Sequence, residues 1–181
     1  MISLSDLNNT ANVIVSGGVV AIPTEGVWGL SCQFNNFEAV HRVIRIKTRA
    51  PEKGFIILVK EFSELANWYG CRVRAEAMSE IGRPSTWIIP ATPDCPDLLT
   101  GGRETLAVRR VTMPFLKALV DRTGPLISTS ANVSGRPACM HRHEVMVRLG
   151  THLDFVSRAR PQGYQKPSTI RYMKTGALLR R

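Results

Sequence analysis

Apolar residues recur at helical spacing from the start of the chain. Leu4, Leu7, Ala11, Ile14 and Val15 share one face, and Gly17-Gly18 ends the pattern. Residues 19–22 (Val-Val-Ala-Ile) then read as a buried strand closed by Pro23. Asn36 is placed to cap a second helix with Phe37, Val40, Val43 and Ile44 on its apolar face, ending near Lys47. Residues 55–59 (Phe-Ile-Ile-Leu-Val) form a second β-rich run, and helical stretches are expected near 61–69 and 72–81. Residues 86–89 and 106–109 read as further strands. Pro114 suits the first turn of a helix carrying Phe115, Leu116, Leu119 and Val120 inward. Residues 126–128 are a strand leading into a polar turn. A helix near 143–149 and short strands near 154–157, 168–172 and 177–180 complete the pattern.

Helices and strands mix without strict alternation, and the strands near 86–110 are joined by short links. The pattern predicts an α+β (mixed α/β) domain built on a mixed sheet, not a doubly wound one. With 181 residues and no internal repeat or linker, one domain over 1–181 is expected. Residues 157–168, with their Gly, Pro and basic side chains, read as a mobile loop.

Composition sharpens this modestly. The chain is 44% hydrophobic and 21% charged, with a formal charge of +10. That surplus favours polyanionic partners such as RNA or nucleotide phosphates. The four cysteines (32, 71, 95 and 139) form no CxxC pair, so a reducing compartment is expected. The polar N-terminus lacks a signal-peptide pattern. No apolar run approaches the roughly 20 residues of a membrane span. A cytoplasmic location with no membrane partner is the corresponding expectation.

No GxxxxGK[ST], GxGxxG, HExxH or GxSxG stands in the chain. Cys139, His141 and His143 are close together, but no second ligand pair stands at zinc spacing, so a solvated loop is the better reading. Asp94 and Asp97, flanked by Pro93 and Pro96, are read as turn residues.

Three segments carry chemistry. Residues 23–30 (Pro-Thr-Glu-Gly-Val-Trp-Gly-Leu) follow a buried strand with a hydroxyl, a carboxylate and two glycines, where backbone can approach a ligand, with a plain strand–turn and a packed Trp as the competing reading. Residues 47–54 (Lys-Thr-Arg-Ala-Pro-Glu-Lys-Gly) place three cations after a helix. They read as a phosphate clamp, with a solvated helix cap as the competing reading. Residues 128–137 (Ser-Thr-Ser-Ala-Asn-Val-Ser-Gly-Arg-Pro) set hydroxyls and an amide just past an apolar strand. Such a turn can act as an anion-binding nest or be a plain Ser/Thr turn.

Taken together and in order, these segments resemble the YrdC family of threonylcarbamoyl-AMP synthases. The family's Pro-Thr-Glu-x-x-(Tyr/Phe)-Gly corresponds to residues 23–29, and its Lys-x-Arg to Lys47 and Arg49. Its strand-entry Thr corresponds to Thr86, and its Ala-Val-Arg to residues 107–109. Its Ser-x-Ser-Ala-Asn-x-Ser-Gly corresponds to 128–135, its Pro-Ser-Thr-Ile to 167–170, and its final Arg to Arg180. Gly26, Trp28 and Arg83 depart from the common pattern.

The resemblance implies a twisted mixed sheet around a large basic cavity that takes ATP, L-threonine and bicarbonate. The product would be the activated intermediate for tRNA t6A modification. It implies that Lys47 and Arg49 are catalytic. It implies that Arg49, Lys53, Arg109, Ser128, Ser130, Asn132 and Arg180 hold ATP, and that Thr24, Thr86 and Ser168 hold threonine. Mg²⁺ is expected with ATP, and Glu25 either reaches it through water or makes a structural hydrogen bond. Implied partners are tRNA at the basic surface and the downstream threonylcarbamoyl transferase machinery. The rival reading is a non-catalytic RNA-binding or ribosome-assembly module. The chain has no RNP-like aromatic motif and only 7% aromatic residues for base stacking.

Overall fold

The computed structural model describes residues 3–69, 84–161 and 168–180; the Arg180 side chain and the helix expected over 72–81 lie outside this description. The fold is mixed α/β. Helix α1 (Leu4–Val15) opens the chain and is capped by Ser3, whose hydroxyl accepts from the Asp6 N–H at 3.4 Å. Strands β1 (Val20–Pro23) and β2 (Trp28–Gln33) form a hairpin. The second strand was not expected. Gly29, Ser31 and Gln33 carry no strand propensity of their own, and pairing on both sides imposes it.

Asn36 caps α2 (Phe37–Lys47) as expected, accepting from Ala39 N–H at 3.0 Å. A 3₁₀ turn (Pro51–Lys53) leads into β3 (Ile56–Val59). The helix expected at 61–69 is instead a 3₁₀ segment (Phe62–Trp68), broken at Leu65, where φ/ψ is −114/20. Strand β4 (Ser85–Pro90), a short α3 (Asp97–Thr100), β5 (Thr105–Arg110), α4 (Pro114–Thr123), β6 (Leu126–Ser130) and α5 (Arg142–Leu149) follow. Strands β7 (Phe155–Val156), β8 (Thr169–Tyr172) and β9 (Leu178–Arg180) complete the described chain.

The described strands form one sheet in the order β7-β1-β2-β6-β3-β5-β4-β8-β9. Pairs β1–β7, β3–β5 and β4–β8 are parallel and the others antiparallel. One face carries Leu30, Ile57, Val59, Trp87, Val108 and Ile127 and is packed against α2 and α5 through Val40, Val43, Val145 and Leu149. On the opposite face, Val20, Ile22, Leu58 and Leu126 pack under α1 and α4.

That second cover is incomplete. Side chains two positions apart share a strand face. Ile56 lies two residues before the covered Leu58, and Ser128 and Ser130 lie two and four after the covered Leu126. These positions line open space beyond the two helices. The site therefore sits on the stretch of this face left bare by α1 and α4.

Residues 157–168 are not free at their start. Asp6, buried in α1, accepts from Ser157 Oγ at 2.7 Å, Arg158 N–H at 2.8 Å and Ala159 N–H at 3.2 Å. Residues 162–167 lie outside the described set.

Thr48, which ends α2, adopts a left-handed conformation (φ 47°, ψ 50°). A β-branched residue is strained there, at roughly 1–2 kcal/mol. Glycine takes this conformation freely but loses more entropy on folding. Thr48→Gly is expected to raise Tm by about 3 °C, a net gain near 1 kcal/mol. A thermal melt with an unchanged or lower midpoint refutes the strain.

Candidate active site

The bare sheet face opens into a cavity of about 790 Å³. This lies within the roughly 300–1,000 Å³ usual for small-molecule sites. Its floor is a row across the sheet: Ser128, Ile56, Ala107 and Ile88 are register partners in turn on β6, β3, β5 and β4. Around this floor stand four cations, Arg49, Lys53, Arg103 and Arg109, while no carboxylate or imidazole lines the wall among the described residues.

Arg49 is held from below. Its Nε and Nη2 donate to Gly54 O at 3.2 and 2.7 Å, and its guanidinium lies 5.1 Å from the centre of the Phe55 ring. The tight turn requires glycine at 54: φ is 55°, and a Cβ there would meet the Leu99 and Thr100 backbone at 2.8 Å. Burial, and then the charge of Arg103, lowers the Arg49 pKa. Two guanidiniums thus face the same space.

Lys47 does not line the cavity beside Arg49, as its pairing in the sequence suggested. The left-handed Thr48 reverses the chain between them. The Lys47 side chain is 1% exposed and runs under the turn after β6. Its Nζ donates to Ser130 O at 2.5 Å, Asn132 O at 2.8 Å and Asn132 Oδ1 at 3.0 Å. The Ser134 N–H donates back to Lys47 O at 2.8 Å. Burial, with Arg49 and Lys53 nearby, pushes its pKa down to about 7. As placed, Lys47 braces the turn.

The turn itself is not an open nest. The N–H groups of Ala131 and Asn132 donate to Trp28 O and Ser130 O. Asn132 is also committed. Its Oδ1 accepts from Ser130 Oγ as well as from Lys47, and its Nδ2 donates to Arg136 O. It does not line the cavity. The residues this stretch brings to the cavity wall are Ser128, Thr129 and Ser130.

At the β1–β2 corner, Thr24 lines the cavity and its hydroxyl donates to Val27 O at 2.6 Å, leaving the oxygen as an acceptor. Gly29 stays open because a Cβ would stand 3.3 Å from Ser128 Oγ. Thr86 is fully buried, and its hydroxyl lies 2.8 Å from that of Ser168, which does line the cavity. Arg180 contributes its backbone, paired with Ile170.

Glu25 faces inward, toward Arg109. It is 1% exposed, and its Oε2 lies 3.5 Å from Arg109 Nη2, with Arg109 itself 5% exposed. Neither Glu25 oxygen has a hydrogen-bond partner among the described residues. Among the described residues the cavity wall offers hydroxyls and no carboxylate, a donor set that suits a Mg²⁺ carried in on polyphosphate oxygens.

His141 and His143 stack at 5.6 Å, while Cys139 is fully buried. Among the described residues, no three potential ligands could hold a metal. Cys32, Cys95 and Cys139 are free thiols, and Cys71 lies outside the described residues.

Sequence reading missed Thr100 and Arg103. They flank Gly101 and Gly102, both left-handed, and a Cβ on Gly101 would meet Glu52 O at 2.4 Å. The signal was available: two glycines followed by a cation just before a strand, much as Lys53-Gly54 precedes β3.

The arrangement can gather several anions over a hydroxyl-lined floor. With no nucleophile–base pair in its wall among the described residues, it is suited to positioning and charge stabilisation.

Comparison with known proteins agrees with the geometry. The family profile Sua5/yciO/yrdC, described as telomere recombination, matches residues 12–181. The chain is 36% identical over 186 residues to the threonylcarbamoyl-AMP synthase of Vibrio cholerae serotype O1, covering 99% of each. It is 39% identical to that of Halorhodospira halophila, covering 97% of this chain and 94% of the relative. The structure of P. abyssi Sua5 complexed with L-threonine superposes with TM-score 0.87 at 26% identity. That match covers 99% of this chain and 55% of that longer one. E. coli YciO shares the fold at TM-score 0.84 and 24% identity, covering all of this chain and 91% of the other. The chain is therefore a member of the Sua5/YciO/YrdC family.

Proposed function

We propose that this protein is a threonylcarbamoyl-AMP synthase, a nucleotidyltransferase that converts L-threonine, bicarbonate or CO₂, and ATP into threonylcarbamoyl-AMP and pyrophosphate. The observation that carries this reading is a cavity with four cations and no carboxylate in its wall among the described residues, in a chain that aligns end to end with named synthases.

The threonine nitrogen, as the free amine, attacks the carbon of CO₂ and gives a proton to water, becoming a carbamate. A carbamate oxygen then attacks the α-phosphorus, the bond to the β-phosphate oxygen breaks, and pyrophosphate leaves. No protein nucleophile enters these steps; the protein's work is to hold mutually repelling anions together. Arg49, Lys53 and Arg109 supply the charge, and Ser128 and Ser130 supply hydroxyls beside the phosphates. Thr24 can accept from the threonine amine, and Ser168, backed by Thr86, faces the same substrate. Mg²⁺ would accompany ATP, bound by phosphate oxygens and water.

The product is a mixed anhydride, competent to pass its threonylcarbamoyl group to adenosine in tRNA through a downstream transferase in the cytoplasm. The +10 charge favours contact with RNA. It is also the one observation favouring a purely RNA-binding module.

Mass spectrometry after mixing protein, ATP, threonine and bicarbonate is expected to show threonylcarbamoyl-AMP, with pyrophosphate release requiring all three substrates. Absence of that product, or release indifferent to threonine, overturns the reading.

A further inference from the structure

We propose that Thr100 and Arg103 complete a subsite for the terminal phosphates of the nucleotide, and so for the pyrophosphate that leaves. This deepens the reading above and rests on it for the identity of the polyphosphate.

Two independent observations point here. Thr100 lines the cavity at 4% exposure, yet its Oγ1 has no hydrogen-bond partner among the described residues. A buried hydroxyl left unpaired is unfavourable, and a ligand oxygen would relieve that cost. Beside it, Arg103 stands close enough to Arg49 to lower that residue's pKa, and both share the wall with Lys53. Three cations thus converge with no carboxylate in the wall among the described residues. A single carboxylate would neutralise one of them; a diphosphate group can face all three.

The position fits the chemistry. Arg103 and Lys53 are exposed at the mouth, whereas Arg109 and Ser168 are buried deeper in the same cavity. An ATP with its α-phosphate near the deep cation would carry its terminal phosphates outward, and pyrophosphate would leave by the shortest path. The two left-handed glycines of the turn between Thr100 and Arg103 let it pass against the Glu52 carbonyl, and Arg103 Nη1 donates to Thr100 O at 3.3 Å.

Calorimetry with inorganic pyrophosphate and, separately, with L-threonine tests the assignment in wild type, Arg103→Ala and the isosteric Thr100→Val. Circular dichroism would confirm that each is folded. Pyrophosphate Kd is expected to rise about tenfold in Arg103→Ala and about threefold in Thr100→Val, with threonine affinity unchanged. Unchanged pyrophosphate affinity in both variants overturns the subsite, as does a wild type that binds no pyrophosphate. Loss of threonine affinity with pyrophosphate binding intact would make it a carboxylate site and also overturn the proposal. A wild type that binds pyrophosphate through Arg103 but makes no threonylcarbamoyl-AMP keeps the subsite and removes the synthase reading instead.

Discussion

Lys47→Met is expected to cut threonine-dependent pyrophosphate release by about a hundredfold, equivalent to about 2.7 kcal/mol of lost transition-state stabilisation. The loss would come without removing any group that lines the cavity. Methionine keeps the length of the side chain but strips a buried ammonium from Ser130 O, Asn132 O and Asn132 Oδ1. Asn132 O would lose its donor in a site that water cannot easily reach, at about 1–3 kcal/mol before relaxation, while Ser130 O and Asn132 Oδ1 would each fall back on one donor, the Asn132 N–H and the Ser130 hydroxyl. The turn would shift to find new partners, and Ser130, hydrogen-bonded to Asn132 Oδ1, would move with it. Arg49 remains anchored to Gly54 and Phe55, so only one wall of the cavity is disturbed.

A second readout isolates the brace from catalysis. Burial holds the folded pKa of Lys47 near 7, below its ordinary 10.5. Between those two values the unfolded chain binds more protons than the folded one, so stability rises with pH across that window. Denaturant melts from pH 7 to 10 should show this rise in the wild type and not in Lys47→Met. Near-normal turnover in the variant, together with an unchanged pH slope, would refute the role.

Much of this architecture was legible where the pattern was local. The periodicity of α1, α2 and α4, the Asn36 cap and the Pro114 helix start each depend on residues within one or two turns. Strand β2 was not legible, because its sequence Trp-Gly-Leu-Ser-Cys-Gln has few strand-forming side chains. Its conformation is fixed by β1 and β6 on either side, and by the Ser31 hydroxyl donating to Ile127 O.

The site divides in the same way. Arg49, Lys53, Ser128 and Ser130 could be singled out because cations before a glycine turn and hydroxyls after a strand signal anion chemistry. That Lys47 and Asn132 do not line the cavity could not be read. It follows from a left-handed Thr48, a conformation that threonine's own preference argues against. Asn132 gave no sign in the sequence that its amide would be taken up by Lys47, Ser130 and Arg136.

Arg109→Met should be the most destabilising change in the cavity wall. Glu25 and Arg109 are both almost fully buried, and the 3.5 Å approach between them is the one ion pair Glu25 makes among the described residues. Removing one partner of such a pair costs about 3–5 kcal/mol, because the survivor is left as an uncompensated charge in a poorly solvated site. The Glu25 oxygens have no hydrogen bonds among the described residues to soften that loss. Glu25→Gln/Arg109→Met removes both charges and should recover most of the stability by urea denaturation, since a neutral amide and an apolar side chain carry no such penalty. Activity should not follow. Arg109 is also the buried cation of the cavity, so the stable double variant would still turn over ATP poorly. Stability recovered together with full turnover would mean that Arg109 serves only to neutralise Glu25. Stability that fails to recover in the double variant would mean that the pair is not what holds this corner together.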